Sequence, residues 1–185
     1  MLKDLIFDLD DTLINTNNSK EIVVLKMLEN YSGKNLDIPE IKKLVKENKQ
    51  DDYIDTISII LNTFGINIDI NKLVNNFNNI YLNEVKNIEK LIINYKTLDY
   101  LKSKYNLYIA TGRPRKFYDS IWKEELSKYF KGVICHGDFN DVKRKPNPDI
   151  INKIIEKYNL NAEYYIGNSI NDIIASHHVV RIHRC

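Results

Sequence analysis

The sequence predicts an α/β fold, a doubly wound parallel sheet carrying an inserted all-helical segment, and three observations lead to it. An almost unbroken apolar run of Leu2, Leu5, Ile6 and Phe7 opens the chain, with the length and character of a strand buried on both faces. From Leu91 onward, short apolar runs alternate with stretches of helical periodicity, the pattern of parallel strands joined by right-handed crossovers. Between these two parts the periodicity is helical throughout.

Taken in order, the first strand ends abruptly in charge. Asp8, Asp10 and Asp11 follow it with Thr12 and no intervening base, so carboxylates crowd the carboxyl end of a buried strand, where open α/β sheets bind ligands. After the short polar run Leu13 to Asn18, Ile22, Val23, Leu25, Met27 and Leu28 share a helical face that Asn17 or Ser19 could cap. Further helices are expected from Pro39 to Lys49, from Asp51 to Phe64 and from Asn71 to about Asn83, punctuated by Gly33 and Gly65. The expected domains are therefore an α/β core of residues 1–15 and 91–185 and a helical insertion of residues 16–90. A lid over the Asp8 cluster and a bundle packed for stability are both open to that insertion.

In the second part a helix from Tyr95 to Lys104 leads into a strand, Leu107 to Ala110, that ends at Thr111-Gly112-Arg113-Pro114. A helix from Lys116 to Lys128 precedes a strand from Gly132 to Cys135 and a loop from His136 to Lys145. Pro146-Asn147-Pro148 opens a helix from Asp149 to Lys157, since proline is tolerated in a first turn. The strand Tyr164 to Ile166 runs into Gly167-Asn168-Ser169-Ile170-Asn171-Asp172, and after a short helix Val179 to Ile182 forms a last strand.

Composition narrows the function classes. With 27 basic against 25 acidic residues there is no field to attract a polyanion, so nucleic acid is not an expected partner. No apolar run is long enough to span a bilayer, and the amino terminus does not read as a secretion signal, so the expected location is cytoplasmic. Cys135 and Cys185 lack metal or redox spacing and read as free thiols, while His136, His177, His178 and His183 show no ligand spacing.

Four successive strand ends carry residues suited to phosphoryl chemistry, and in a parallel sheet all such ends open on one edge. Asp8 and Asp10 come first, then Thr111-Gly112, then Lys145 with its proline, then Asn168 with Asp172. Crowded carboxylates call for a cation, and oxygen ligands favour a hard one such as Mg²⁺. Asp-Leu-Asp-Asp-Thr, Ala-Thr-Gly-Arg, Lys-Pro-Asn-Pro and Gly-Asn-Ser-Ile-Asn-Asp together resemble the four motifs of the haloacid dehalogenase (HAD) superfamily of phosphohydrolases. The insertion is similar to the helical cap of its subclass I.

That resemblance implies a Mg²⁺-dependent phosphatase acting on a small phosphorylated metabolite. It makes Asp8 the nucleophile that accepts the phosphoryl group and Asp10 the acid that protonates the leaving oxygen and later activates water. It gives Thr12, Thr111 and the Gly112 amide the non-bridging oxygens, and Lys145 the balancing charge. Mg²⁺ would be held by Asp8, the Asp10 main-chain carbonyl, Asn168 and Asp172. Arg113 could reach a second substrate anion or pair with Asp138 or Asp141, and Asp11 reads as a turn residue. The fourth motif departs from the family pattern, because Asn168 stands where a metal-binding carboxylate is usual. A phosphate-binding or regulatory module that has lost productive metal binding is therefore the alternative. Nothing resembles a mutase signature, and Asp10 with Thr12 is the phosphatase rather than the dehalogenase arrangement.

Overall fold

The computed structural model describes residues 2–33, 36–48, 53–177 and 181–184. Along them the elements are β1 (Lys3–Phe7), β2 (Ile14–Asn15), α1 (Ser19–Ser32), α2 (Ile38–Glu47), α3 (Tyr53–Thr63), α4 (Ile70–Ile88), β3 (Lys90–Leu91) and α5 (Tyr95–Lys104). Then follow β4 (Tyr105–Pro114), α6 (Arg115–Ile121), α7 (Lys123–Leu126), β5 (Phe130–His136), α8 (Asp149–Tyr158), β6 (Ala162–Gly167), α9 (Ile170–Ser176) and β7 (Arg181–Arg184). The chain divides into two compact units, residues 1–15 with 90–185, and residues 16–89.

In the first unit five parallel strands lie in the order β5-β4-β1-β6-β7. The chain builds β4 and β5 on one side of β1 before crossing to β6 and β7 on the other. β1 is thus where the strand order reverses, the place at which such sheets bind ligands beyond their carboxyl ends. Alternation along β1 feeds two cores. Leu5 and Phe7 pack with Ile109, Trp122 and Phe130, whereas Ile6 packs with Tyr108, Ile134, Tyr165 and the α8 residues Ile150, Ile151 and Ile154. Gly132 allows α8 to seat, since a Cβ there would stand 2.4 Å from the Tyr158 ring. The predicted α/β fold with a parallel sheet is what the structure shows.

The second unit is helical. α1 buries Val23, Val24, Met27 and Leu28, and α4 buries Leu73, Phe77, Tyr81 and Val85. α2 starts on a reciprocal cap, in which Asp37 accepts from the Glu40 amide and Glu40 accepts from the Asp37 amide. The two ends of the unit are stitched together: the Asn17 side-chain amide donates to the Ile88 carbonyl at 2.8 Å, and the Ser19 hydroxyl to Glu89 at 3.0 Å.

Those two bonds explain one departure from expectation. Neither Asn17 nor Ser19 caps α1; Asn18 holds the cap position in a left-handed conformation without a side-chain bond. α4 runs on to Ile88 because its buried row continues through Val85. The helix expected from Lys116 to Lys128 is broken at Trp122, whose buried ring joins the core between α6 and α7. The antiparallel pair β2 and β3, Ile14 opposite Leu91 and Asn15 opposite Lys90, is too short to leave a sequence pattern. Lys49, Asp51, His178, Val179 and Cys185 lie outside the described residues.

Candidate active site

Asp8 is the first residue past β1, and its amide still donates to Ile166 of β6 at 2.8 Å. That bond holds the carboxylate at the sheet edge with 6% of the residue exposed. Lys145, from the loop before α8, brings its ammonium to Asp8 Oδ1 at 2.5 Å. The same nitrogen lies 2.7 Å from Asp172 Oδ1 and 2.7 Å from the Tyr165 hydroxyl. Residues from the end of β1, from β6 and from α9 therefore meet on a single cation carried by a loop.

Asp172 divides its carboxylate between two tasks. Oδ1 takes Lys145 and the Tyr165 hydroxyl, the latter at 3.0 Å. Oδ2 takes the Ser169 amide at 3.0 Å and its hydroxyl at 2.5 Å, closing a reciprocal cap on α9. Gly167 permits this turn, because a Cβ there would stand 2.6 Å from the Asp172 side chain. With both oxygens engaged, Asp172 has the geometry of a residue that orients Lys145.

The electrostatics follow from the sharing. Burial pushes the Asp8 carboxyl up to about 7; Lys145 opposes this, while the charges of Asp172 and Asp10 add to it. Burial works in the same sense on Asp172 but is outweighed by Lys145 and the Ser169 bonds, so this carboxyl lies below its ordinary value. Burial would depress Lys145, yet the two carboxylates raise it. The lysine is held in its charged form by both carboxylates.

On the other flank Arg113 corrects its expected role. Its guanidinium is buried, with Nε at 2.9 Å and Nη2 at 2.7 Å from Asp10 Oδ1, so it does not stand open to a substrate anion. Nor does it pair with Asp138, which Arg115 holds from Nε at 2.9 Å and Nη2 at 2.5 Å. The Arg113 amide donates to the buried Thr111 hydroxyl at 3.1 Å, across the exposed Gly112. Thr12 is buried and its hydroxyl lies 3.4 Å from Asn168 Oδ1, a long contact linking the first and fourth motifs. Asp11 is exposed in a turn with φ 56°.

Among the described residues no three His, Cys, Asp or Glu side chains cluster to hold a metal ion. The remaining donors nevertheless fit a hard divalent ion. Asp8, the Asp10 carbonyl and Asn168 Oδ1 are all oxygens. Burial, with the charges of Asp172 and Asp10 adding to it, keeps the Asp8 carboxyl raised even beside a lysine.

The family profile of haloacid dehalogenase-like hydrolases matches residues 5–180. The chain belongs to the haloacid dehalogenase-like hydrolase family. It is 29% identical over 175 residues to a glyceraldehyde 3-phosphate phosphatase of Pyrococcus abyssi, covering 88% of this chain and 71% of that protein. A phosphoglycolate phosphatase of Vibrio cholerae is 30% identical over 105 residues, 54% of this chain and 46% of the relative. In fold it is similar to the Bacillus subtilis HAD-hydrolase YfnB, solved bound to magnesium, with a TM-score of 0.76 at 19% identity over 98% of this chain and 87% of the other.

Two site residues escaped sequence reasoning. Tyr165 left a faint signal, as a tyrosine in a fully buried strand needs a partner for its hydroxyl. Ser169 left a plainer one: Ser169 followed by Asp172 three residues later is the spacing of a helix-opening reciprocal cap, which commits that carboxylate to the backbone.

Proposed function

We propose that this hydrolase is a cytoplasmic phosphatase of small phosphate monoesters that works by two displacements at Asp8. The observation that carries the reading is the single ammonium of Lys145 shared between Asp8 and Asp172 at the carboxyl edge of the sheet. Lys145 would keep Asp8 ionised and aimed, and Asp172 with Tyr165 would hold Lys145 in place. Asp8 attacks phosphorus, splitting hydrolysis into formation and breakdown of an aspartyl phosphate. Asp10 gives a proton to the departing oxygen and later receives one from the attacking water. The Thr12 and Thr111 hydroxyls and the Gly112 amide would donate to the non-bridging oxygens. Mg²⁺ on Asp8, the Asp10 carbonyl and Asn168 would neutralise charge on the transferring group.

Residues 16–90 would serve as the cap that selects substrates. The short β2–β3 ribbon supports this, as it brings the exit and return of the insertion side by side. The names of the relatives make glyceraldehyde 3-phosphate and phosphoglycolate the first compounds to try. Phosphate release from a panel of monoesters, with and without Mg²⁺, tests the reading. Metal-dependent turnover that is lost in Asp8→Asn supports it, and no turnover on any ester overturns it. Asn168 favours one second reading, a phosphate-binding module. Phosphate binding that is indifferent to Mg²⁺, without turnover, would establish that instead.

A further inference from the structure

Arg113 is the buried cation that the proposed chemistry does not use, and its geometry is specific. Nε and Nη2 both converge on one oxygen of Asp10, Oδ1, at 2.9 and 2.7 Å, instead of clasping the two carboxylate oxygens. The guanidinium side chain is 2% exposed and the Asp10 side chain 27%, so the pair is anchored at its arginine end and open at its carboxylate end. The backbone of Arg113 is tied as well, through its amide to the Thr111 hydroxyl at 3.1 Å. That bond occupies the Thr111 oxygen as an acceptor and leaves the hydroxyl proton to point elsewhere.

Resting on the phosphatase reading, we propose that Arg113 is a positioning residue for proton transfer, fixing Asp10 by Oδ1 so that Oδ2 is the oxygen that gives and takes the proton. An aspartate on a loop can rotate about χ1 and χ2. Two charged hydrogen bonds to a single oxygen remove that freedom without engaging the second oxygen. In the first half-reaction Asp8 forms its bond to phosphorus as the ester oxygen leaves, and the proton on Oδ2 passes to that oxygen. In the second, Oδ2 takes a proton from water as the water oxygen bonds phosphorus and the Asp8–phosphorus bond breaks. Guanidinium is suited to the task because it is planar, forks its donors and stays charged, whereas an ammonium offers a single point of attachment. Arg113 thereby links the acid of the first motif to the hydroxyl of the second through one residue.

The test is leaving-group dependence. An alkyl ester, such as glycerol phosphate, needs its leaving oxygen protonated, and p-nitrophenyl phosphate hardly does. In Arg113→Met and Arg113→Lys the ratio of aryl to alkyl kcat should rise at least tenfold over wild type, with the lysine variant the milder. General acid catalysis of this kind contributes roughly 10²–10⁴-fold, so the expected loss on the alkyl ester is large. Equal losses on both esters in both variants would mean that Arg113 serves the fold alone and would overturn the proposal. Unfolding curves for the same variants verify that the protein assayed is folded. Wild-type protein inactive on both esters would overturn the phosphatase reading and this inference together, while an active wild type with an unchanged ratio overturns only the latter.

Discussion

The two units each bury a carboxylate, and they treat it in opposite ways. Glu89, at 3% exposure, closes the helical unit and accepts from the hydroxyls of Ser19 at 3.0 Å and Tyr81 at 3.3 Å. Asp8, at 6%, closes β1 and faces an ammonium that it shares with Asp172. The Ser19 hydroxyl on Glu89 ties the two ends of the helical unit together. Around Asp8 burial outweighs the shared cation, and the carboxyl is pushed up to about 7. Perturbed carboxyls concentrate at functional sites, and this is the setting the proposed nucleophile would use.

The largest effect should come from removing the shared cation. Lys145→Met leaves Asp8 and Asp172 facing each other without a counter-charge, and breaking a buried pair in this way costs about 3–5 kcal/mol. The loss should be greater at pH 8 than at pH 5, because protonation relieves the carboxylates. Urea unfolding at the two pH values measures it, and a loss that does not vary with pH would mean that Lys145 is held by packing. Ordinary buried hydrogen bonds offer no such pH lever.

Asp8 itself supplies the next effect. Its folded value, about 7, lies above the ordinary 3.8, so the folded state binds this proton more tightly than the unfolded chain does. Its contribution is therefore full below about pH 4 and is lost as pH rises through 7. Asp172 acts in the opposite sense, with stability present above the ordinary value and lost as pH falls through its depressed one, so the two windows separate. In chelator-treated protein the folding equilibrium should weaken by up to about tenfold per pH unit between 5 and 7. Asp8→Asn should flatten that slope. Added Mg²⁺ should stabilise more at pH 8 than at pH 5, because it competes with the proton for the same oxygens.

Much of the α/β unit was legible because its signals are local. The apolar run before Asp8 and the glycine and proline punctuation at Gly167 and Pro146 place the strand ends without any tertiary information. The partnership of each charged group was not legible in the same way. Arg113 had three plausible anions in sequence, and only the bend of the chain after Thr111 put Asp10 within reach. Asp172 read as a ligand from the family resemblance, although its spacing from Ser169 already marked it as the third residue of a reciprocal helix cap. Ser19 read as a helix cap because its partner, Glu89, is 70 residues away along the chain.

The stitch in the helical unit gives a smaller effect. Ser19→Ala leaves a fully buried Glu89 short of one donor, an omission worth about 1–3 kcal/mol. The midpoint of urea unfolding should fall accordingly. The Mg²⁺-dependent stabilisation should stay as in wild type, because the change lies outside the Asp8 network. A changed metal response would mean that the two carboxylates are coupled, and the contrast between them would collapse.

The smallest expected effect sharpens the contrast from the side of the active site. Asn168 offers an amide oxygen where a carboxylate would add a full charge, and it already lies 3.4 Å from Thr12. Asn168→Asp should crowd the Asp8 edge further, so chelator-treated protein becomes less stable at pH 8 while its affinity for Mg²⁺ rises about tenfold, near 1.4 kcal/mol. Opposite signs for the two measurements are the signature of an electrostatic site whose charge is completed by a bound cation. Calorimetric titration with Mg²⁺ alone reads the affinity without turnover. If the carboxylate lowers stability and leaves Mg²⁺ affinity unchanged, Asn168 is not a ligand, and the negative charge of Asp8 is left to Lys145.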